Sequence, residues 1–266
     1  MAAETKTGER SRRGNGKARL NRAEETKSIC GLWPHKFVSS LGPPRSALVF
    51  RKVSVLPNHG SHREIIDVSL PLDARLAVWP GDTEFDYQLT WKKSAGASVN
   101  VGAVRLSTHC GTHIDAPFHF DEQGKKVDEL ALEVFVGKAF VIHVANRPHI
   151  SRSDLSRDWQ GAMRLLLRTD AWANPEVFPK QIPVIDRDVP DWLGSQGIVL
   201  LGVDLPSVDA LDSQDLPNHQ ALARNQIAIL ESLNLKNADE GVYDLVAAPL
   251  KLAGADAAPV RALLIR

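Results

Sequence analysis

Three histidines and an aspartate fall within 11 residues of this chain, at His109, His113, Asp115 and His119 in the run HCGTHIDAPFH. Imidazole and carboxylate together suit zinc, manganese or iron, and closely spaced ligands on a short turn can converge on an ion without a large rearrangement. One His or Asp in a loop is usually solvated or hydrogen-bonded locally. Density marks this segment, because the 266 residues hold only 9 histidines. A metal-free His/Asp proton-transfer site would draw on the same residue types and stays open as the alternative.

The elements that position these side chains can be read from the same stretch. His109 and His113 are spaced for one helical face, but Gly111 between them and Pro117 beyond them oppose a regular helix. A strand end running into a loop fits better, and it would point His113 and Asp115 the same way. A second anomaly lies downstream, where residues 226–233 (QIAILESL) read as a strand. Period two puts Glu231 on the side of Ile227, Ile229 and Leu233. If that side is the core, an ionised carboxylate is costly there unless a cation or a charge-assisted hydrogen bond compensates it. A solvent-facing edge position is the plainer alternative. His219, near the start of a short helix, is ambiguous by itself.

The remaining pattern is strand-rich. Order is expected to begin at Ile65-Ile66-Asp67-Val68. Phe85, Tyr87, Leu89 and Trp91 then alternate with polar residues, the mark of a half-buried strand. Short apolar runs follow at residues 139–145, 165–167, 198–203, 227–233, 243–247 and 260–265. Helices are expected near Asp128, near Ser153, around residues 190–193 and around residues 217–224, where Pro or a small polar residue opens the segment. Strands outnumber helices, which predicts one mixed α/β domain over residues 63–266. Residues 1–62 lack a sustained period and read as a disordered or non-native extension.

Composition narrows the function classes. The chain can bury a full core at 43% hydrophobic content, and its 32 basic and 32 acidic residues balance. Nothing in that balance argues for nucleic acid or a membrane surface as partner. The charges are unevenly spread, since residues 1–60 carry 12 Lys or Arg against 4 Asp or Glu and the remainder is mildly acidic. No stretch reaches the roughly 18 apolar residues a membrane span needs. A polar N-terminal region and only two cysteines, Cys30 and Cys110, lead us to expect a cytoplasmic protein.

The run from His109 to His119 matches His-x-Gly-Thr-His-x-Asp-x-Pro-x-His at every fixed position. With Val78-Trp79-Pro80-Gly81-Asp82, Gly202 to Asp209, Leu216-Pro217-Asn218-His219, Ala247 to Leu252 and Ala258-Pro259-Val260-Arg261, it resembles the metal-dependent cyclase family, and within it the kynurenine formamidases, or arylformamidases. The similarity covers roughly residues 65–266. It implies a compact, strand-rich α/β fold of the swivelling β/β/α type, assembled as a homodimer or larger homo-oligomer. It also implies two divalent metal ions per subunit, usually zinc and in some relatives manganese. His109, His113 and Asp115 would bind the first, with Asp115 reaching the second; His219 would complete the second shell and Glu231 would contact both. His119 would be the catalytic acid/base, and Trp79 would line the substrate pocket.

The reaction so implied is hydrolysis of a small aryl formamide, N-formyl-L-kynurenine, to L-kynurenine and formate in tryptophan catabolism. Leu205 departs from the Thr more often expected after the aspartate. A family relative opening a cyclic amide such as isatin, or acting on another carbonyl substrate, is the alternative. A metal-binding protein without catalysis is the alternative of another class, and the intact His119 argues against it. Cys110 reads as a spacer, and His143 and His149 as structural.

Overall fold

The computed structural model describes residues 63–145 and 147–266, so the expected extension at residues 1–62 lies outside the described residues. In chain order the strands are β1 (Ile65–Asp67), β2 (Asp86–Trp91), β3 (Val101–Arg105), β4 (His113–Asp115), β5 (Val136–His143), β6 (His149–Ile150), β7 (Arg164–Arg168), β8 (Val184–Ile185), β9 (Leu200–Val203), β10 (Ala228–Glu231), β11 (Gly241–Val246), β12 (Ala257–Pro259) and β13 (Leu263–Ile265). The α-helices are short: α1 (Arg152–Leu155), α2 (Val189–Ser195) and α3 (Pro217–Arg224). The last spans the expected residues, and its Pro217 sits where a missing N–H costs nothing.

Nine strands form one mixed sheet in the order β1-β13-β11-β5-β7-β9-β10-β4-β12. Its centre is parallel, from β5 through β7 and β9 to β10, and its flanks are antiparallel. Each parallel step needs a crossover, and α1, α2 and α3 occupy the three crossovers in turn. This explains the unbroken apolar runs of the sequence, since a central parallel strand is covered on both faces. Leu165 and Leu167 face the side packed by Leu155, Val189, Leu193 and Leu222, while Leu166 faces the opposite core with Val141, Leu200 and Leu230. Burying one such leucine fully contributes about 2 kcal/mol relative to exposure.

The sheet curls back on itself. Beyond β1, Ser69 bridges Leu233 just past β10, and Asn234 N–H donates to the Val68 carbonyl at 2.8 Å. Ile66, Ile114, Leu230, Leu245 and Leu264 therefore share one core although they come from strands spread across the sheet. The outcome is the strand-rich α/β architecture expected.

Two expectations are corrected. The pair β2–β3 is a separate two-stranded ribbon, exposed on both faces rather than half-buried, with Tyr87 54% and Trp91 60% exposed. Among the described residues its alternation has no core to point into. Glu231 does share its side with Ile227 and Ile229, but Leu233 does not, because Ser232 takes a left-handed backbone (φ 58°) and turns the chain toward the other core.

Candidate metal centre

The site is built where the short strand β4 lies between β10 and β12. Alternation sends Ile114 into the core and leaves His113 and Asp115 on the opposite face. The antiparallel register places Glu231 opposite His113 and Ile229 opposite Asp115. On the other side the facing positions are Pro259 and Ala257. Gly111 holds φ at +70°, a conformation that glycine adopts at little cost, and its carbonyl lies 2.8 Å from His113 Nδ1. After β4, Pro117 opens a single 3-10 turn that ends at His119.

His219 comes from α3. Leu216 adopts a left-handed backbone (φ 44°) immediately before Pro217, and this strained residue directs the first turn into the site. Asp209 caps that turn, accepting the N–H of Asn218 at 3.0 Å and of His219 at 3.1 Å. A carboxylate there complements the helix N-terminus. The same side chain accepts from His219 Nδ1 at 2.7 Å, which leaves Nε2 for the interior.

The side chains converge in two lobes. Asp115 Oδ1 lies 3.1 Å from His109 Nδ1 and 3.2 Å from His113 Nε2, while its Oδ2 lies 3.5 Å from His219 Nε2. Glu231 divides in the same way, with Oε2 3.7 Å from His113 Nε2 and Oε1 3.6 Å from His219 Nε2. Each carboxylate thus presents one oxygen to each lobe. Ligand atoms of His109, His113 and Asp115 all lie within 4.8 Å of one another, as do those of Asp115, His219 and Glu231. A third grouping joins His109, His119 and Asp256.

Whether these residues fit a cation is tested by their hydrogen bonds. His113 Nε2 and both carboxylate oxygens of Asp115 are buried and have no hydrogen-bond partner. They lie near one another without the geometry of donor and acceptor, as lone pairs do when aimed at a common point. Buried polar atoms are otherwise nearly always paired, and nitrogen with carboxylate oxygen is a donor set for zinc or manganese. The residues fit such an ion.

The electrostatics show the same demand for positive charge. Burial works against a charged His109, yet the adjacent Asp115 and Asp256 carboxylates outweigh it and raise its pKa to about 9. Burial likewise opposes His219, and Asp115 and Asp209 raise it to about 10. Glu231 is pushed well above the usual carboxylate range by burial and by the charge of Asp115. Asp115 is held well below that range, because its imidazole neighbours overcome its burial. Without a cation, protons take the place of its charge.

His119 differs from its neighbours. Its side chain is 34% exposed, at the rim of the cluster, and its ring stacks at a tilt over His109 with centroids 4.1 Å apart. Partial burial lowers its pKa to about 4; Asp115 pulls the other way, and the charges of His109 and His219 reinforce the drop. The imidazole is therefore neutral near pH 7.

Of the residues expected from sequence, His109, His113, Asp115, His119, His219 and Glu231 are brought together. Trp79 is 42% exposed and packs edge-on against Phe178 with centroids 5.2 Å apart. His143 and His149 lie outside it, paired with Asp170 and Asp186. Cys110 is buried, and burial together with the charge of Asp82 pushes its thiol up to about 11, far from a reactive thiolate. Sequence reasoning missed the roles of Asp209 and Asp256. Asp209 closes one of the stretches that carried the resemblance and Asp256 stands between two others, but a lone Asp in a loop gives no signal of what it will hold.

Comparison with known proteins adds the following. Residues 66–210 match the Cyclase family model. The chain is 50% identical over 200 residues to a kynurenine formamidase of Geobacillus thermodenitrificans (strain NG80-2), a match covering 75% of this chain and 96% of that protein. A solved structure described as a predicted metal-dependent hydrolase from Bacillus stearothermophilus superposes with a TM-score of 0.67 at 27% identity, covering 77% of this chain and 99% of the other. Isatin hydrolase A from Ralstonia solanacearum gives a TM-score of 0.66 at 22% identity, over 76% of this chain and 92% of that one, which is a likeness of fold.

Proposed function

The chain belongs to the cyclase family, and from that membership we propose that it is a metal-dependent formamidase converting N-formyl-L-kynurenine and water to L-kynurenine and formate. The observation that carries the reading is the convergence of unpartnered, buried polar atoms of His113 and Asp115 beside a neutral, solvent-reaching His119. A purely structural site has no use for that extra imidazole. The 50% identity to a kynurenine formamidase supplies the substrate class.

In this reading His109, His113 and Asp115 would hold one cation and Asp115 and His219 the other, with Glu231 reaching both, zinc being the first choice and manganese the second. When bound, such a pair would lower the pKa of water and withdraw charge from a carbonyl oxygen. The remaining work falls to the chain. His119, neutral and at the rim, accepts the proton of the attacking water and returns it to the aryl amine nitrogen as the C–N bond breaks. Burial of Asp115 and Glu231 keeps bulk water from competing for the ligand atoms. Asp209 fixes the ring of His219, so that its Nε2 keeps one direction through turnover.

Several finer assignments belong to the same proposal. Trp79 contributes an aromatic face to the aryl group of the substrate, and the chain assembles as a homodimer or larger homo-oligomer. Residues 63–266 carry the hydrolase, and a reducing cytoplasmic setting suits the free thiol of Cys110. Among the described residues no helix is long and apolar enough to cross a membrane. Kynurenine release from N-formyl-L-kynurenine by the metal-loaded protein tests the proposal.

A further inference from the structure

Asp256 touches both ends of the segment that runs from Thr108 to Ala116. Its backbone carbonyl accepts the Ala116 N–H at 2.8 Å. Its carboxylate is held from the other end, where Thr108 Oγ1–H donates to Oδ1 at 2.9 Å and Oδ2 lies 3.0 Å from His109 Nε2. Consecutive residues thus grip one oxygen each, which fixes the plane of the carboxylate. The same Oδ2 is 3.9 Å from His119 Nδ1, beyond hydrogen-bond reach.

A neutral imidazole carries one proton, and the stronger acceptor decides which nitrogen bears it. We propose that Asp256 is a positioning residue that accepts a hydrogen bond from His109 Nε2–H, so that Nδ1 keeps its lone pair for the cation position that Asp115 Oδ1 also faces. His109 Nδ1 lies 3.1 Å from that oxygen. Without the outer carboxylate the ring can carry its proton on Nδ1 instead, or turn about its Cβ–Cγ bond, and either change withdraws the donor. The inference rests on His109 being a metal ligand.

The other two buried imidazoles follow the same rule. His219 gives Nδ1–H to Asp209 and His113 gives Nδ1–H to the Gly111 carbonyl, so each inner nitrogen is left free by an outer acceptor. Asp209 also holds the start of α3, and its removal would disturb the helix along with the ring. Asp256 separates the two effects. Its side chain is 39% exposed, and its backbone bond to Ala116 survives any substitution.

The test compares the full-length protein with Asp256→Ala and Asp256→Asn, measuring zinc equivalents by elemental analysis, zinc affinity by competition with a chromophoric chelator, and kcat and KM separately. Asp256→Ala should bind zinc about 10- to 100-fold more weakly while the metal-free protein still folds. Asp256→Asn keeps an amide oxygen that can accept the His109 N–H, and should recover most of that affinity. Unaltered affinity in Asp256→Ala, or equal weakening in both variants, overturns the positioning role. So does the loss of a whole equivalent at saturating zinc, which makes Asp256 a ligand. A parent protein that takes up no zinc removes the ligand reading and this inference together; a zinc-loaded parent with an indifferent Asp256→Ala removes the inference alone.

Discussion

Glu231 faces His113 across the ladder between β10 and β4, and its Oε2 comes to 3.7 Å from His113 Nε2 with no hydrogen bond formed there by the imidazole nitrogen. A carboxylate so deeply buried needs a positive partner. Its other oxygen accepts the Val208 N–H at 3.0 Å, a bond that Gln can keep. Glu231→Gln should therefore stay folded and lose at least one metal equivalent per subunit, read by elemental analysis after gel filtration. Full metal content with full activity would leave Glu231 a structural residue.

His119 makes the complementary case. Its ring lies at the rim, and the two groups of buried ligands are complete without it. His119→Ala should retain the metal and lower kcat by about 100-fold or more, the ordinary range for a lost general acid/base. Loss of metal in this variant would move His119 into the ligand set.

How far all this could be read in the sequence differs from residue to residue. The His109–His119 run was legible because chemistry concentrated in 11 residues has no other ready explanation. Glu231 was legible as an acid in an apolar period, and α3 as a proline-started helix. The ribbon of β2 and β3 was misjudged, because alternation reports which residues share a face and not whether that face is covered. The turn at Ser232 escaped, since a left-handed non-glycine backbone leaves no mark on residue types. Asp256 is 147 residues from the histidine it touches, a contact that only the neighbouring strands β12 and β4 create.

Thr112 ties the ligand strand to its surroundings. Its hydroxyl donates to the Ser232 carbonyl at 2.6 Å and accepts the Leu70 N–H at 2.8 Å, with 2% of the residue exposed. Thr112→Val keeps the shape and strands both partners, which should cost about 1–3 kcal/mol in chemical denaturation. An unchanged midpoint would mean that neither bond contributes.

Metal-free protein should show a distinctive dependence on pH. His109 and His219 titrate near 9 and 10 when folded, against 6.5 for an ordinary histidine, so their extra protons favour the folded state. That contribution is complete below about pH 6.5 and disappears as pH rises through the folded values. The melting temperature of chelator-stripped protein should fall by several degrees between pH 6.5 and 10, and zinc should suppress most of the fall. A flat profile without metal would contradict the proposed charge balance.

The account stands most directly on one assay. Purified protein is loaded with zinc or manganese, given N-formyl-L-kynurenine, and followed for kynurenine release with and without a chelator. The account predicts rapid release that the chelator abolishes and added metal restores. No release from fully metallated protein, or release that survives complete removal of the metal, would contradict it.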